Sequence, residues 1–211
     1  MKRPSRDHDP LQRNLARLRR KRHKRHQSQQ PIAIQHPLYT GYFDGSCGPI
    51  NPGVIAAYGA VVFREGARLW TCSALFQPEQ GKERETSNNL AEYCGLIALL
   101  EQLIHLGAHD EPIMIYGDSA LVIKQIFGHW HIKAGIYVPY AHKAQALRRT
   151  FTNLGGQWIP RTKNTMADAL SKAPLLKAGV LPPGRLGDDE QDANDERDST
   201  LRSYTAGRLR P

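Results

Sequence analysis

The sequence predicts an α/β fold: a five-stranded mixed sheet with strands 1–3 antiparallel and helices on both faces. Three observations carry this. Aromatic and β-branched runs over Tyr39–Ser46, Ala56–Arg64 and Ala67–Phe76 follow one another closely, the last two joined only by Glu65-Gly66, a hairpin connection. Next comes a stretch with apolar residues at helical spacing, from Thr86 to His105. After it, the continuous apolar run Pro112–Tyr116 has the character of a central strand buried on both faces.

The 211 residues suffice for one domain with tails. A basic arm and linker over 1–35, a folded domain over 36–175 and an acidic tail over 176–211 are expected. No apolar run reaches the roughly 18 residues a membrane span needs, and no apolar stretch follows the basic N-terminus as in a secretory signal. Cys47, Cys72 and Cys94 are odd in number, widely spaced and without a CxxC pair. That pattern predicts reduced thiols in a cytoplasmic compartment, with neither a disulfide framework nor a zinc site.

Charge is unevenly placed. Residues 1–30 hold eleven Lys and Arg against Asp7 and Asp9, a net +9 that equals the charge of the whole chain. The polyanion signal therefore belongs to the arm, which lacks a burial face and is expected to be disordered alone. Leu11, Leu15 and Leu18 give Asp9–His26 the pattern of a basic amphipathic helix. The arm is expected to contact a nucleic-acid backbone, where each neutralised phosphate releases a counterion. Asp188–Asp198 carries seven acids against Arg197 and reads as a solubilising tail.

Within the domain, Tyr39–Ser46 places Asp44 at a strand end, before the turn-forming loop Cys47–Gly53. Thr86 or Ser87 caps the helix to His105, with Leu90, Tyr93, Leu96, Ile97, Leu100 and Ile104 inward and Glu92 in its first turns. The strand Pro112–Tyr116 ends in Gly117-Asp118-Ser119 and leads into a helix over Ala120–Phe127. A linker over Gly128–Lys133 precedes a helix from about Pro139 to Asn153, and Gly156–Pro160 forms the last strand. Arg161–Asn164 turns into a short helix, Thr165–Ala173, with Met166, Ala169 and Leu170 inward and Asp168 on it.

Each acid alone has an ordinary explanation. Asp44 suits a turn, Glu92 the helix dipole, Asp118 an N-cap, and Asp168 a solvent-facing helix position. Together they differ, because strands one and four lie side by side in this order and bring Asp44 and Asp118 to one sheet edge. Four gathered carboxylates repel and raise one another's pKa. Such a cluster is tolerated mainly where hard cations neutralise it, and oxygen-only donors select Mg²⁺ or Mn²⁺ over Zn²⁺. Two such ions ~3.5–4 Å apart clamp the attacking water and the leaving oxygen of a phosphodiester.

Tyr-Phe-Asp44-Gly-Ser-Cys, Thr-Ser-Asn-Asn-Leu-Ala-Glu92-Tyr, Ile-Tyr-Gly-Asp118-Ser and Asn-Thr-Met-Ala-Asp168-Ala-Leu-Ser stand in that order. In them the sequence resembles ribonuclease H of type 1, over about residues 38–174. The resemblance implies a ribonuclease H-like fold and a metal site of Asp44, Glu92, Asp118 and Asp168 holding two Mg²⁺ or Mn²⁺ ions. It also implies endonucleolytic cleavage of the RNA strand of an RNA–DNA hybrid, leaving a 3′-hydroxyl and a 5′-phosphate; separately, the chain is expected to be a monomer. Contacts to RNA 2′-hydroxyls and the adjoining backbone fall on Cys47, Asn51, Ser87, Asn88, Asn89 and Ser119, each of a type that also serves as a cap or turn former.

The sequence departs from the well-studied bacterial form. The first loop carries one extra residue, and Val54–Ala57 replaces a Gly-rich continuation. Trp130–Tyr140 is short and nearly uncharged where that form has a basic protrusion. The loop before the last acid, Arg161-Thr-Lys163-Asn164, holds no His, so proton transfer on product release falls to Lys163, Arg161 or water. The chain is more like the compact archaeal and bacterial subgroup with Arg-x-x-Asn-x-x-Ala-Asp. His129, His131 and His142 are expected on the surface. Two other readings exist: a non-catalytic nucleic-acid-binding module of the same fold, and a related nuclease with a different substrate or a reverse-transcriptase origin.

Overall fold

The structure is a computed structural model that describes residues 34–49, 55–78 and 86–180. The basic arm, most of the acidic tail and Asn51 lie outside the described residues. The strands are β1 (Tyr39–Gly48), β2 (Ile55–Arg64), β3 (Ala67–Leu75), β4 (Ile113–Gly117) and β5 (Leu154–Trp158). The helices are α1 (Asn88–His105), α2 (Ala120–Ile126), α3 (Val138–Arg148) and α4 (Thr165–Lys177), the last preceded by a 3₁₀ turn at Arg161–Lys163.

The sheet order is β3-β2-β1-β4-β5. The β1–β2 and β2–β3 pairs are antiparallel, while β1–β4 and β4–β5 are parallel. The predicted mixed sheet is therefore the one found. Phe43 pairs with Gly117, so Asp44 and Asp118 are the first residues past the paired stretch of two neighbouring parallel strands. Asp118 follows the end of β4, whereas Asp44, expected at a strand end, lies inside β1, which continues to Gly48 against β2.

Alternation along β1 divides the molecule into two faces. Gly41, Phe43 and Gly45 face α1, where a Cβ on Gly41 would lie 2.7 Å from Leu99. That side holds the main core, in which Phe43, Leu90, Tyr93, Leu96, Leu100, Ile113 and Ile115 are buried together with Val122 and Ala141 of α2 and α3. Gln125 ties this core to the linker after α2, accepting from Tyr93 Oη at 2.5 Å and donating to the His131 carbonyl at 3.1 Å. Asp44 and Ser46 face the other way, toward α4, which packs on β1, β2 and β3.

Three boundaries differ from the sequence prediction. α3 ends at Arg148 rather than Asn153, because Phe151 turns into the core, Thr152 N–H bonds His109, and the Asn153 carbonyl accepts from Ile113. β5 accordingly starts at Leu154, two residues before the expected Gly156. Gly156 lies inside it because the Phe127 ring sits where its side chain would be, 2.3 Å from a built Cβ. α4 runs past Pro174 to Lys177. Proline has no N–H for the Leu170 carbonyl, and Ser73 Oγ of β3 supplies the missing donor at 2.7 Å.

The inward face of α4 is also corrected. Met166 is 41% exposed and Ala169 is exposed, whereas Ala167, Asp168, Ser171, Lys172 and Leu175 are buried. Gly59 makes this seat possible: its Cβ would lie 2.5 Å from Ser171 N and 2.7 Å from the Ala167 carbonyl. Gly59→Ala should lower stability by about 1–3 kcal/mol, the cost of overpacking against backbone. Gly66→Ala should cost about 1 kcal/mol, since Gly66 has φ +81° but open space around it. Urea midpoints of the two variants check this; a Gly59→Ala protein as stable as wild type would remove the close α4 seat.

Candidate active site

Asp44 sits on the α4 face of the central strand and is 3% exposed. Two glycines bring α1 to the same place from the opposite face. A Cβ on Gly45 would fall 2.1 Å from Glu92 N, and one on Gly95 would fall 2.8 Å from the Asp44 carbonyl. Glu92 is thereby pressed toward the end of β1. Ser87, not a charged residue, caps α1, accepting from Leu90 N at 3.3 Å. In the same way the cap of α2 is Ser119, accepting from Val122 N at 3.4 Å, which leaves Asp118 free of capping duty.

One carboxylate oxygen each from Asp44, Glu92 and Asp118 lies within 4.8 Å of the others. Asp168 stands beside this trio, with its Oδ1 accepting from Arg161 Nε at 2.9 Å, Arg161 Nη2 at 2.8 Å and Lys172 Nζ at 3.3 Å. Burial raises the Asp44 carboxyl to about 7, with the charge of Asp118 adding to it and the Ser171 hydroxyl opposing. The Asp118 carboxyl is also raised, chiefly by burial, against the hydrogen bond from Asn164.

Several residues that hold the acids have no role in the sequence reading. Asn164 is 1% exposed and spends both Nδ2 protons on the centre, one on the Phe43 carbonyl at 2.9 Å and one on Asp118 Oδ1 at 2.7 Å. Its buried Oδ1 accepts no hydrogen bond. Ser171 donates to Asp44 Oδ2 and lies 2.8 Å from Ser46 Oγ. Trp158 donates its indole N–H to the Asp118 carbonyl at 2.8 Å while its ring stays 48% exposed. Ser171 and Lys172 follow Asp168 by three and four positions, so the helical period was a usable signal for both.

The other predicted residues ring the centre. Cys47, at the end of β1, is 3.6 Å from the Thr86 hydroxyl, and Asn88 and Asn89 open α1 one turn before Glu92. Asn51 is outside the described residues. His129, His131 and His142 are exposed, as expected. The groups that converge are all carboxylates, Asp44 buried and Glu92 and Asp118 half-buried, with the Asp44 and Asp118 carboxyls raised, beside an amide oxygen that accepts nothing. That donor set fits a hard divalent cation.

Residues 43–173, more than half of the chain, match the model of the family described as reverse transcriptase-like. The chain belongs to that family. Its fold is that of type 1 ribonucleases H. The ribonuclease H1 of the halophilic archaeon Halobacterium salinarum superimposes with a TM-score of 0.57 at 32% identity, over 66% of this chain and 98% of that one. A type 1 ribonuclease H called LC11, solved with an RNA/DNA hybrid, gives 0.58 at 32% identity, over the same shares. A bifunctional protein of Mycobacterium tuberculosis is 40% identical over 124 residues, 57% of this chain. This chain spans only 31% of that relative's length. Among the described residues no helix is long and apolar enough to cross a membrane.

The raised carboxyls set a sign for stability against pH. Asp44 holds its proton more tightly when folded than the ordinary value of about 4. Its contribution is therefore greatest at low pH and is lost as pH rises through about 7. The melting temperature of the metal-free chain should fall between about pH 5 and pH 8, and Mg²⁺ should raise it more at the upper end. A melting temperature that climbs over this range without metal would contradict the electrostatics of the trio.

Proposed function

We propose that this chain is a metal-dependent endonuclease that hydrolyses the RNA strand of RNA–DNA hybrids. The observation that carries the reading is the convergence of Asp44, Glu92 and Asp118, with Asp168 beside them, inside a ribonuclease H type 1 fold. Held by these four acids, a pair of Mg²⁺ or Mn²⁺ ions supplies Lewis acidity for water attack on a phosphodiester and compensates charge on the leaving oxygen.

The protein's own residues orient the rest. Ser87 and Ser119 accept the cap hydrogen bonds, so each keeps its own hydroxyl proton to donate to RNA. With Cys47, Asn88 and Asn89 they make a short polar rim suited to 2′-hydroxyls, the groups that separate RNA from DNA, and Asn51 is a further proposed RNA contact. Arg161 is committed to Asp168 and stays protonated, so proton transfer on product release rests with the exposed Lys163 or with water. The basic arm supplies phosphate contacts that Trp130–Tyr140 cannot, since that stretch carries only one Lys and no Arg. Cys47, Cys72 and Cys94, none of them in a disulfide, suit a reducing, cytoplasmic compartment, where the chain acts as a monomer.

The test is cleavage of end-labelled RNA–DNA hybrid, duplex RNA and duplex DNA with Mg²⁺ or Mn²⁺. Hybrid-only cleavage that Asp118→Asn abolishes by about 10³-fold or more is expected, the loss usual for an electrostatic group at a reacting centre. Removing residues 1–30 should raise KM and flatten its salt dependence with little change in kcat. Tight hybrid binding without any cleavage would replace the enzyme with a binding module, and a KM indifferent to the arm at every salt concentration would sink the arm's role.

A further inference from the structure

Ser171 closes the Asn164–Ser171 motif without an assigned role in the proposed reaction, yet it is fully buried against Asp44. Its single proton has three oxygens near it: Asp44 Oδ2, Ser46 Oγ at 2.8 Å and the Asp168 carbonyl at 2.9 Å. The carboxylate is the strongest acceptor of the three. Ser171 therefore donates to Asp44, and Ser46, on the same strand face two residues beyond Asp44, donates to Ser171. A hydroxyl that accepts one hydrogen bond donates a stronger one. The chain of bonds runs from Ser46 to Ser171 to Asp44.

We propose that Ser171 is a positioning residue that fixes the Asp44 carboxylate for cation binding. The tether holds Oδ2 against α4 and so fixes the rotation of the carboxylate that clusters with Glu92 and Asp118. It acts only because Gly59, which pairs with Asp44 across β1–β2, lets the α4 backbone come within 2.5 Å of a built Cβ. Because Ser171 stands three residues after Asp168 on α4, the same tether sets the acid on β1 against the helix that carries the last acid. The inference rests on the proposed metal dependence, not on which nucleic acid is cut.

The test is calorimetric titration of the full chain with MgCl₂ and MnCl₂, for wild type, Ser171→Ala and Ser46→Ala, beside kcat and KM on hybrid at varied metal. Ser171→Ala should bind either ion about tenfold more weakly, the worth of one charge-assisted hydrogen bond. Its activity curve should move to higher metal by the same factor, with KM for hybrid unchanged at saturating metal. Ser46→Ala keeps the tether and loses only its support, so its affinity should fall by a smaller factor, about two- to threefold. Equal or tighter metal binding by Ser171→Ala overturns the proposal. If that variant does not fold, Ser171→Cys and Ser46→Ala decide, and unchanged affinity in both overturns it. Wild type that binds metal but cuts no hybrid would defeat the proposed activity while leaving the tether to be judged on affinity alone.

Discussion

The structure depends on how closely two helices approach one strand from opposite faces. At Asp44, β1 has no room for side chains on either neighbour that matters: Gly45 and Gly95 admit α1, and Gly59 admits α4. A single methyl at any of these would meet backbone atoms at 2.8 Å or less. The acids come from four separate elements, so their spacing is a packing result before it is an electrostatic one. Interiors are close-packed and do not deform continuously, which makes such a spacing reproducible.

The same closeness creates the electrostatic problem that the surrounding residues answer. Asp44 is pushed toward protonation by burial and by Asp118, and Asp118 by burial and by Asp168, and little in the fold itself gains from charging them. Counterweights lie on the segment that carries the last acid. Arg161 and Lys172 hold Asp168, Asn164 holds Asp118, and Ser171 holds Asp44. One turn and one helix thus clamp three of the four acids, and α1 brings the fourth. Sites of this kind trade stability for function, and here the strain is charge held out of water.

Much of this was legible in the sequence because it follows from periodicity and turn chemistry. The hairpin at Glu65-Gly66, the cap at Ser87 and the buried β4 each come from local signals and stand where expected. The four acids could be singled out as strand-end or early-helix residues that a core has no use for. What was not legible is non-local. α4 buries Asp168, Ser171 and Lys172, a polar face that apolar spacing assigns to solvent. Its continuation through Pro174 depends on a hydroxyl on β3, about a hundred residues earlier in the chain. The end of α3 is set by a core position for Phe151 and strand bonds to His109 and Ile113, not by any breaker after Arg148.

The central claim is that the gathered carboxyls form one cation site in which Asp44 is partly protonated near pH 7 without the cation. Calorimetry with Mg²⁺ at about pH 7, in two buffers of different ionisation enthalpy, tests it directly, because ligand carboxyls must give up their protons to bind metal. Saturable binding that releases protons near pH 7, and releases almost none near pH 9, is the predicted result. Binding with no proton release at pH 7, or no saturable binding at all, would contradict it.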